Sequence, residues 1–227
     1  MVNIDTVYQR VLALANKEQR GYITPQDFNL FANQAQMEIF EQYFYDEEQF
    51  ERDPRSDIVE LLDQKTQIFK QAPIPVDHED VLPLNTYQID DVWVRHASGK
   101  RSVVQRVSRK EVQGIQSSPL LNTALAQCYY IYNNTIYFIW TGSSLDWRIN
   151  LIRKPVTPNW TYFIDTSSQS ALYNSSAVDL QDFELHISEE NNLVIKILLL
   201  AGISMKDMGL AQLAGQKEAS VKQQEKQ

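Results

Sequence analysis

The run Cys128-Tyr129-Tyr130-Ile131-Tyr132, Asn133-Asn134, Thr135-Ile136-Tyr137-Phe138-Ile139-Trp140 constrains the fold more than any other part of the chain. Two strings of β-branched and aromatic residues flank two asparagines, which tolerate the positive φ angles of a tight turn. Such a segment is a β-hairpin, and it excludes an all-helical protein. Gly142-Ser143-Ser144 then turns into a third strand, Asp146 to Ile152. Upstream, Thr86 onward alternates in the same way: Asp91-Val92-Trp93-Val94-Arg95, a turn at Ser98-Gly99, then Val103, Gln105 and Val107. The pattern predicts a meander of short antiparallel strands, the raw material of a sandwich or small barrel.

The flanks have a different period. Ile4, Val7, Val11 and Leu14 recur at three- and four-residue steps, one face of a helix. The segment 16–22, with Gly21, ends that helix. Thr24-Pro25-Gln26-Asp27 starts the next: a capping hydroxyl, proline at the first helical position, and an acid where the macrodipole favours one. Phe28, Phe31, Ala32, Ala35, Ile39 and Tyr43 give that helix an apolar stripe. A short helical segment, Asp57 to Leu62, follows Pro54. Near the other end, Ser188 is placed to cap a last helix, with Glu189 and Glu190 in its first turn. Leu193, Val194, Ile197, Leu198, Leu200 and Ala201 make its apolar face broad. The polar run 165–176 reads as a long loop or arm, and 216–227 as a tail with too little to bury alone.

Together these signals predict an α+β protein in which N- and C-terminal helices pack as a bundle around an inserted antiparallel β-sandwich or small barrel. The expected parts are a helical region 1–72, a β domain 73–165, and an arm, helix and tail over 166–227. Charge divides the chain in nearly the same way. Residues 1–72 carry 13 acids and 7 bases, residues 73–154 carry 7 acids and 9 bases, and residues 155–227 carry 9 acids and 5 bases. Within the second, Arg95, Lys100, Arg101, Arg106, Arg109 and Lys110 have no acid among them between Asp91 and Glu111. Such a stretch suits a solvated hairpin face, an acidic protein surface or nucleic acid. The net charge of −8 disfavours a protein that wraps duplex DNA.

Chemistry is sparse in this sequence. One cysteine, Cys128, excludes an internal disulfide and any multi-cysteine zinc site. Its strand context suggests a small buried apolar residue. The seven glycines are scattered, and Gly99-Lys100 lacks the upstream glycine of a phosphate-binding loop. His78, His96 and His186 have no metal-ligand spacing; His78-Glu79-Asp80 is more simply a solvated loop. No nucleophile signature is present, and the acidic run Asp46, Glu47, Glu48, Glu51, Asp53 resembles a helix end rather than a cleft. No apolar stretch has the length of a signal peptide or membrane span. The expectation is a non-enzyme without cofactor or metal, made in a cytoplasm.

Three segments resemble a known family. They are Asn16-Lys17-Glu18-Gln19-Arg20-Gly21-Tyr22-Ile23-Thr24-Pro25-Gln26-Asp27-Phe28-Asn29; Ile152-Arg153-Lys154-Pro155-Val156-Thr157-Pro158-Asn159-Trp160; and Asp182-Phe183-Glu184-Leu185 leading into the stretch from Leu193 to Gly202. The chain resembles virion structural proteins of tailed phages, of the short-tailed and crAss-like kind. In those, such a chain is a head-to-tail connector component, a ring or adaptor below the portal. The resemblance implies a closed homo-oligomeric ring of twelve copies and contacts with the portal and with neighbouring tail or ring proteins. Genomic DNA would pass through the lumen without sequence-specific binding, in a virion assembled in the host cytoplasm. It implies no active site, no cofactor and no membrane. An acidic lumen would repel phosphates and let DNA slide. The basic residues would then sit at a subunit interface, facing Asp46, Glu47, Glu48 and Glu51 of a neighbour or an acidic portal surface. The alternatives are another collar or tail-hub ring, a stopper, a peptidoglycan-degrading virion enzyme, and a nucleic-acid-binding module built on the basic hairpin.

Overall fold

A computed structural model of the chain describes residues 1–17, 23–50, 56–77, 79–96, 99–118, 127–139, 146–166 and 170–204. The helices and strands run in the order α1 (Ile4–Lys17), α2 (Pro25–Phe50), α3 (Ser56–Thr66), β1 (Ile74–Val76), β2 (Glu79–Val81), β3 (Thr86–Arg95), β4 (Arg101–Val103) and β5 (Gln105–Arg106). Then come α4 (Arg109–Ser117), β6 (Cys128–Tyr132), β7 (Thr135–Ile139), β8 (Asp146–Arg153), β9 (Tyr162–Ile164), β10 (Ala171–Tyr173) and α5 (Glu190–Ser204). The fold class is α+β. The chain divides into two units: residues 1–68 with 155–227, and residues 69–154 between them.

In the discontinuous unit, α5 packs against both α1 and α2. Its Leu193, Val194, Ile197, Leu198 and Ala201 are buried, as are Phe28, Ala32, Ala35, Ile39, Phe40 and Tyr43 of α2. The start of α2 is capped as its sequence suggests: Thr24 Oγ1 accepts from Asp27 N–H at 3.1 Å and donates to the Asp27 carboxylate at 2.6 Å. On α1 the buried face is Ile4, Val7, Tyr8, Val11 and Ala15, while Leu14 is 42% exposed. The stripe therefore turns to include Tyr8 and Ala15 instead of Leu14, following 3.6 residues per turn. Before α5, a 3-10 turn spans Ile187–Glu189, and His186, not Ser188, caps it: the imidazole Nδ1 accepts from Ser188 N–H at 3.2 Å. The expected polar arm contains a small hairpin, β9 against β10, closed by Asp165 N–H donating to Ser170 O at 3.0 Å.

The three resembling segments meet in this unit. Asn29 of α2 donates to Asn159 Oδ1 (3.0 Å) and Trp160 O (3.1 Å), and accepts from Trp160 N–H (2.8 Å). The Trp160 indole donates to Asp5 at 2.9 Å and packs on Tyr8, Tyr162 and Tyr173. Fully buried Gln36 donates to Val156 O (2.8 Å) and accepts from Glu184 N–H (3.0 Å), while the Glu184 carboxylate accepts from Val156 N–H (2.8 Å). Asp182 accepts the N–H of Ile4 at 2.8 Å, a carboxylate at the positive end of α1. These hydrogen bonds join stretches of chain 28 to 178 residues apart in sequence. Buried Glu189 is likewise held, by Lys65 at 2.6 Å and Asn192 at 2.7 Å.

The continuous unit contains two four-stranded sheets, in the orders β1-β8-β3-β4 and β2-β7-β6-β5. Val92 and Val94 of β3 and Trp147, Ile149 and Leu151 of β8 share one apolar core with Tyr129, Ile136 and Phe138 of β6 and β7. The expected hairpin is β6–β7, with Asn133 and Asn134 at φ 49° and 59°. Asn134 also donates to Leu82 O at 2.9 Å. The strands are not all antiparallel, since β5 pairs parallel with β6. One buried residue, Val104, carries the chain from the first sheet to the second.

Cys128 lies in this unit at 5% exposure, and burial pushes its thiol pKa up. A protonated thiol is a poor nucleophile, so native protein should react slowly with an aromatic disulfide reagent near pH 8. Labelling should accelerate in urea in step with loss of β structure. Rapid labelling of native protein would show that β6 opens locally.

Candidate functional site

The basic stretch does not form one hairpin face. The structure distributes it over four elements. Arg95 ends β3, Arg101 begins β4 directly opposite it, and Lys100 precedes β4. Arg106 is on β5, in the other sheet, and Arg109 and Lys110 open α4. All six are exposed. The turn before β4 uses Gly99 at φ 81°, a backbone state costly for other residues. Gly99 N–H donates to His96 O (2.8 Å) and His96 N–H to Lys100 O (2.9 Å). The α4 start is fixed by a capping box between Ser108 and Glu111, whose hydrogen bonds hold the Glu111 carboxyl below its ordinary range. Arg109 and Lys110 are cations at the end of a helix where the dipole favours acids.

Register brings in residues that charge alone does not reveal. Successive residues of a strand face opposite ways, so Val92 and Val94 point to the core while Trp93 and Arg95 lie on the outer face. On β8 the same holds for buried Trp147 and Ile149 against Arg148. The outer face therefore carries two rows: Asp146, Arg95 and Arg101 in one, and Pro75, Arg148, Trp93 and Val103 in the other. The Arg101 guanidinium sits 4.5 Å from the Trp93 ring centroid, a cation–π contact. Asp146 is occupied by Arg148, in two hydrogen bonds of 2.9 and 3.2 Å. Among the described residues, Arg95, Lys100, Arg101 and Arg106 have no carboxylate partner. A separate Arg–aromatic contact places Arg109 4.3 Å from the Tyr132 ring centroid.

Of the acidic candidates, Asp46, Glu47 and Glu48 fall within α2, but their side chains lie outside the described residues. Glu51 and Asp53 lie wholly outside them, as do His78 and the tail 216–227. The described residues contain no group of three His, Cys, Asp or Glu placed to hold a metal ion, and no helix long and apolar enough to cross a membrane. A depression of about 300 Å³ is lined by Glu38, Glu41, Gln42, Tyr45 and Lys196. Its charged lining contrasts with the mostly apolar walls of small-molecule pockets, and Lys196 is paired with Glu38 at 3.2 Å. No family model matches the chain, and no curated protein is significantly similar to it.

Proposed function

We propose that this chain is a virion structural protein of a tailed phage: a head-to-tail connector ring or adaptor that docks on the portal and continues the DNA channel into the tail. The observation that carries the reading is the convergence of the three resembling segments. Asn29 of the first segment is hydrogen-bonded to Trp160 of the second, and Val156 of the second to Glu184 of the third, with Gln36 of α2 bridging Val156 and Glu184. A pattern scattered along the sequence is thus one piece of architecture, as expected when a resemblance lies in a scaffold instead of a catalytic centre. The exposed arginines with aromatic neighbours also suit an interface, where Arg, Trp and Tyr are enriched.

Size-exclusion chromatography with light scattering tests the reading on the protein alone and with its portal. A discrete ring, alone or on the portal, supports it. A monomer that clears cell-wall substrate would replace it with a virion enzyme, and salt-dependent duplex binding with a nucleic-acid module. The triple variant Arg101→Glu, Arg106→Glu, Arg109→Glu should assemble more slowly than wild type at low salt. Raising the salt should narrow the difference, because exposed pairs contribute about 0–1 kcal/mol each and act mostly on association rate. Equal assembly at low salt would remove these residues from the interface.

A further inference from the structure

We propose that the free edge of β4 binds an extended acidic segment of a partner protein, added antiparallel as a fifth strand of the sheet β1-β8-β3-β4. The inference stands on register and charge, and holds whether or not the chain is part of a connector. β4 ends its sheet. Lys100 O accepts from His96 N–H, and Val104 N–H donates to Val92 O at 2.8 Å, so residues 100 and 104 turn their backbone groups toward β3. Alternation along an antiparallel ladder then turns the N–H and C=O groups of Arg101 and Val103 toward the open edge.

These two residues also end the rows of the outer face. Val103, 74% exposed, continues the row through Trp93, and Arg101 continues the row through Arg95. An added strand extends both rows: an apolar residue beside Val103 and a carboxylate beside Arg101, where opposite charges across strands are favourable. Because the added strand runs antiparallel to β4, its own order is apolar, any residue, acidic. Arg95, one strand further in, adds to the positive field at that position, since Asp146 on its other side is held by Arg148. A second copy of β4 is a poor occupant, because it brings another Arg95, Lys100 and Arg101 to the same face. Charge on an edge strand repels like edges, and here the same field selects an acidic one. Nucleic acid has no backbone to complete the ladder, and it meets a chain of net charge −8.

The test is a titration of isotope-labelled full-length protein, followed by amide NMR, with a synthetic peptide of about eight residues alternating Val, Thr and Glu in the stated order. Shifts should concentrate at Arg101 and Val103 and saturate. Val103→Pro removes an N–H that no ladder inside the sheet uses, and Arg95→Glu with Arg101→Glu reverses the charges. Each should weaken binding at least about tenfold. If the proline variant disturbs the whole spectrum, the charge variant decides. The proposal is overturned if no shift appears at β4 up to the solubility limit of the peptide. It is equally overturned if a peptide with Lys in place of Glu binds as well, or if an oligothymidylate displaces the acidic peptide from this face.

Discussion

Replacing Trp160 with alanine should remove about 3–5 kcal/mol of stability, the range for deleting a large buried aromatic, from the unit formed by residues 1–68 and 155–227. Trp160 is 1% exposed and packs among Tyr8, Tyr162 and Tyr173. Its indole N–H also answers Asp5 of α1. The loss is a large fraction of the roughly 5–15 kcal/mol that holds a typical domain together. It should appear as a lower urea midpoint in the helical circular-dichroism signal. Trp160→Phe keeps a ring but loses the N–H donor, so it should fall between the two. The other tryptophans, Trp93, Trp140 and Trp147, belong to the 69–154 stretch, so fluorescence of the alanine variant reports on that stretch separately. An unchanged helical transition would mean that the knot around Trp160 is dispensable.

A second large effect is expected at Gln36. Leucine in its place fills a similar volume but leaves the Glu184 amide without an acceptor, at about 1–3 kcal/mol. The Val156 carbonyl costs less, because Val156 is 48% exposed and water can reach it. Gln36→Glu is the informative comparison. It keeps an acceptor for Glu184 N–H but loses the donor to Val156 O, and it sets a second carboxylate beside Glu184. Crowded carboxylates raise each other's pKa, and a raised folded-state pKa destabilises most above that pKa. The deficit of the glutamate variant should therefore be greatest at neutral pH and shrink as pH falls through the carboxylate range. The leucine variant should show no such trend relative to wild type. Identical pH profiles for the two would show that the Gln36 side chain does not face Glu184.

What sequence reasoning captured here is local, and what it missed depends on partners far along the chain. The Asn133-Asn134 hairpin and the Thr24 cap are decided by residues within a few positions of one another, and both formed as read. Helix α4 was missed because a nine-residue helix with Gly114 inside and only Val112 buried has little apolar period. Its one clear signal was Ser108 followed three residues later by Glu111, a capping box. Parallel pairing of β5 with β6 could not be read from either strand, since Gln105 meets Cys128 across an intervening helix. The site shows the same limit. The six basic residues were visible as a run, whereas Trp93, Val103 and Arg148 join them only through the registers of β3 with β4 and β8. His186 displaced Ser188 as a cap for a subtler reason, because an imidazole nitrogen can accept the same N–H.

The discontinuity of the first unit has a consequence for how the protein is made. A ribosome finishes α1, α2 and α3 early, yet the helix that covers the first two of them begins only at Glu190. At about 5–20 residues per second, the interval is on the order of ten seconds. Throughout that time Val7, Val11, Phe28 and Phe40 lack their final neighbours, while strands β1 to β8 are completed before its end and are then free to close their own core. The order of synthesis thus favours a nascent chain whose middle matures before its beginning. Exposed apolar helices during that interval are substrates for chaperones and sites of misassociation, so slowing translation between Phe69 and Lys154 should lower the soluble yield rather than raise it.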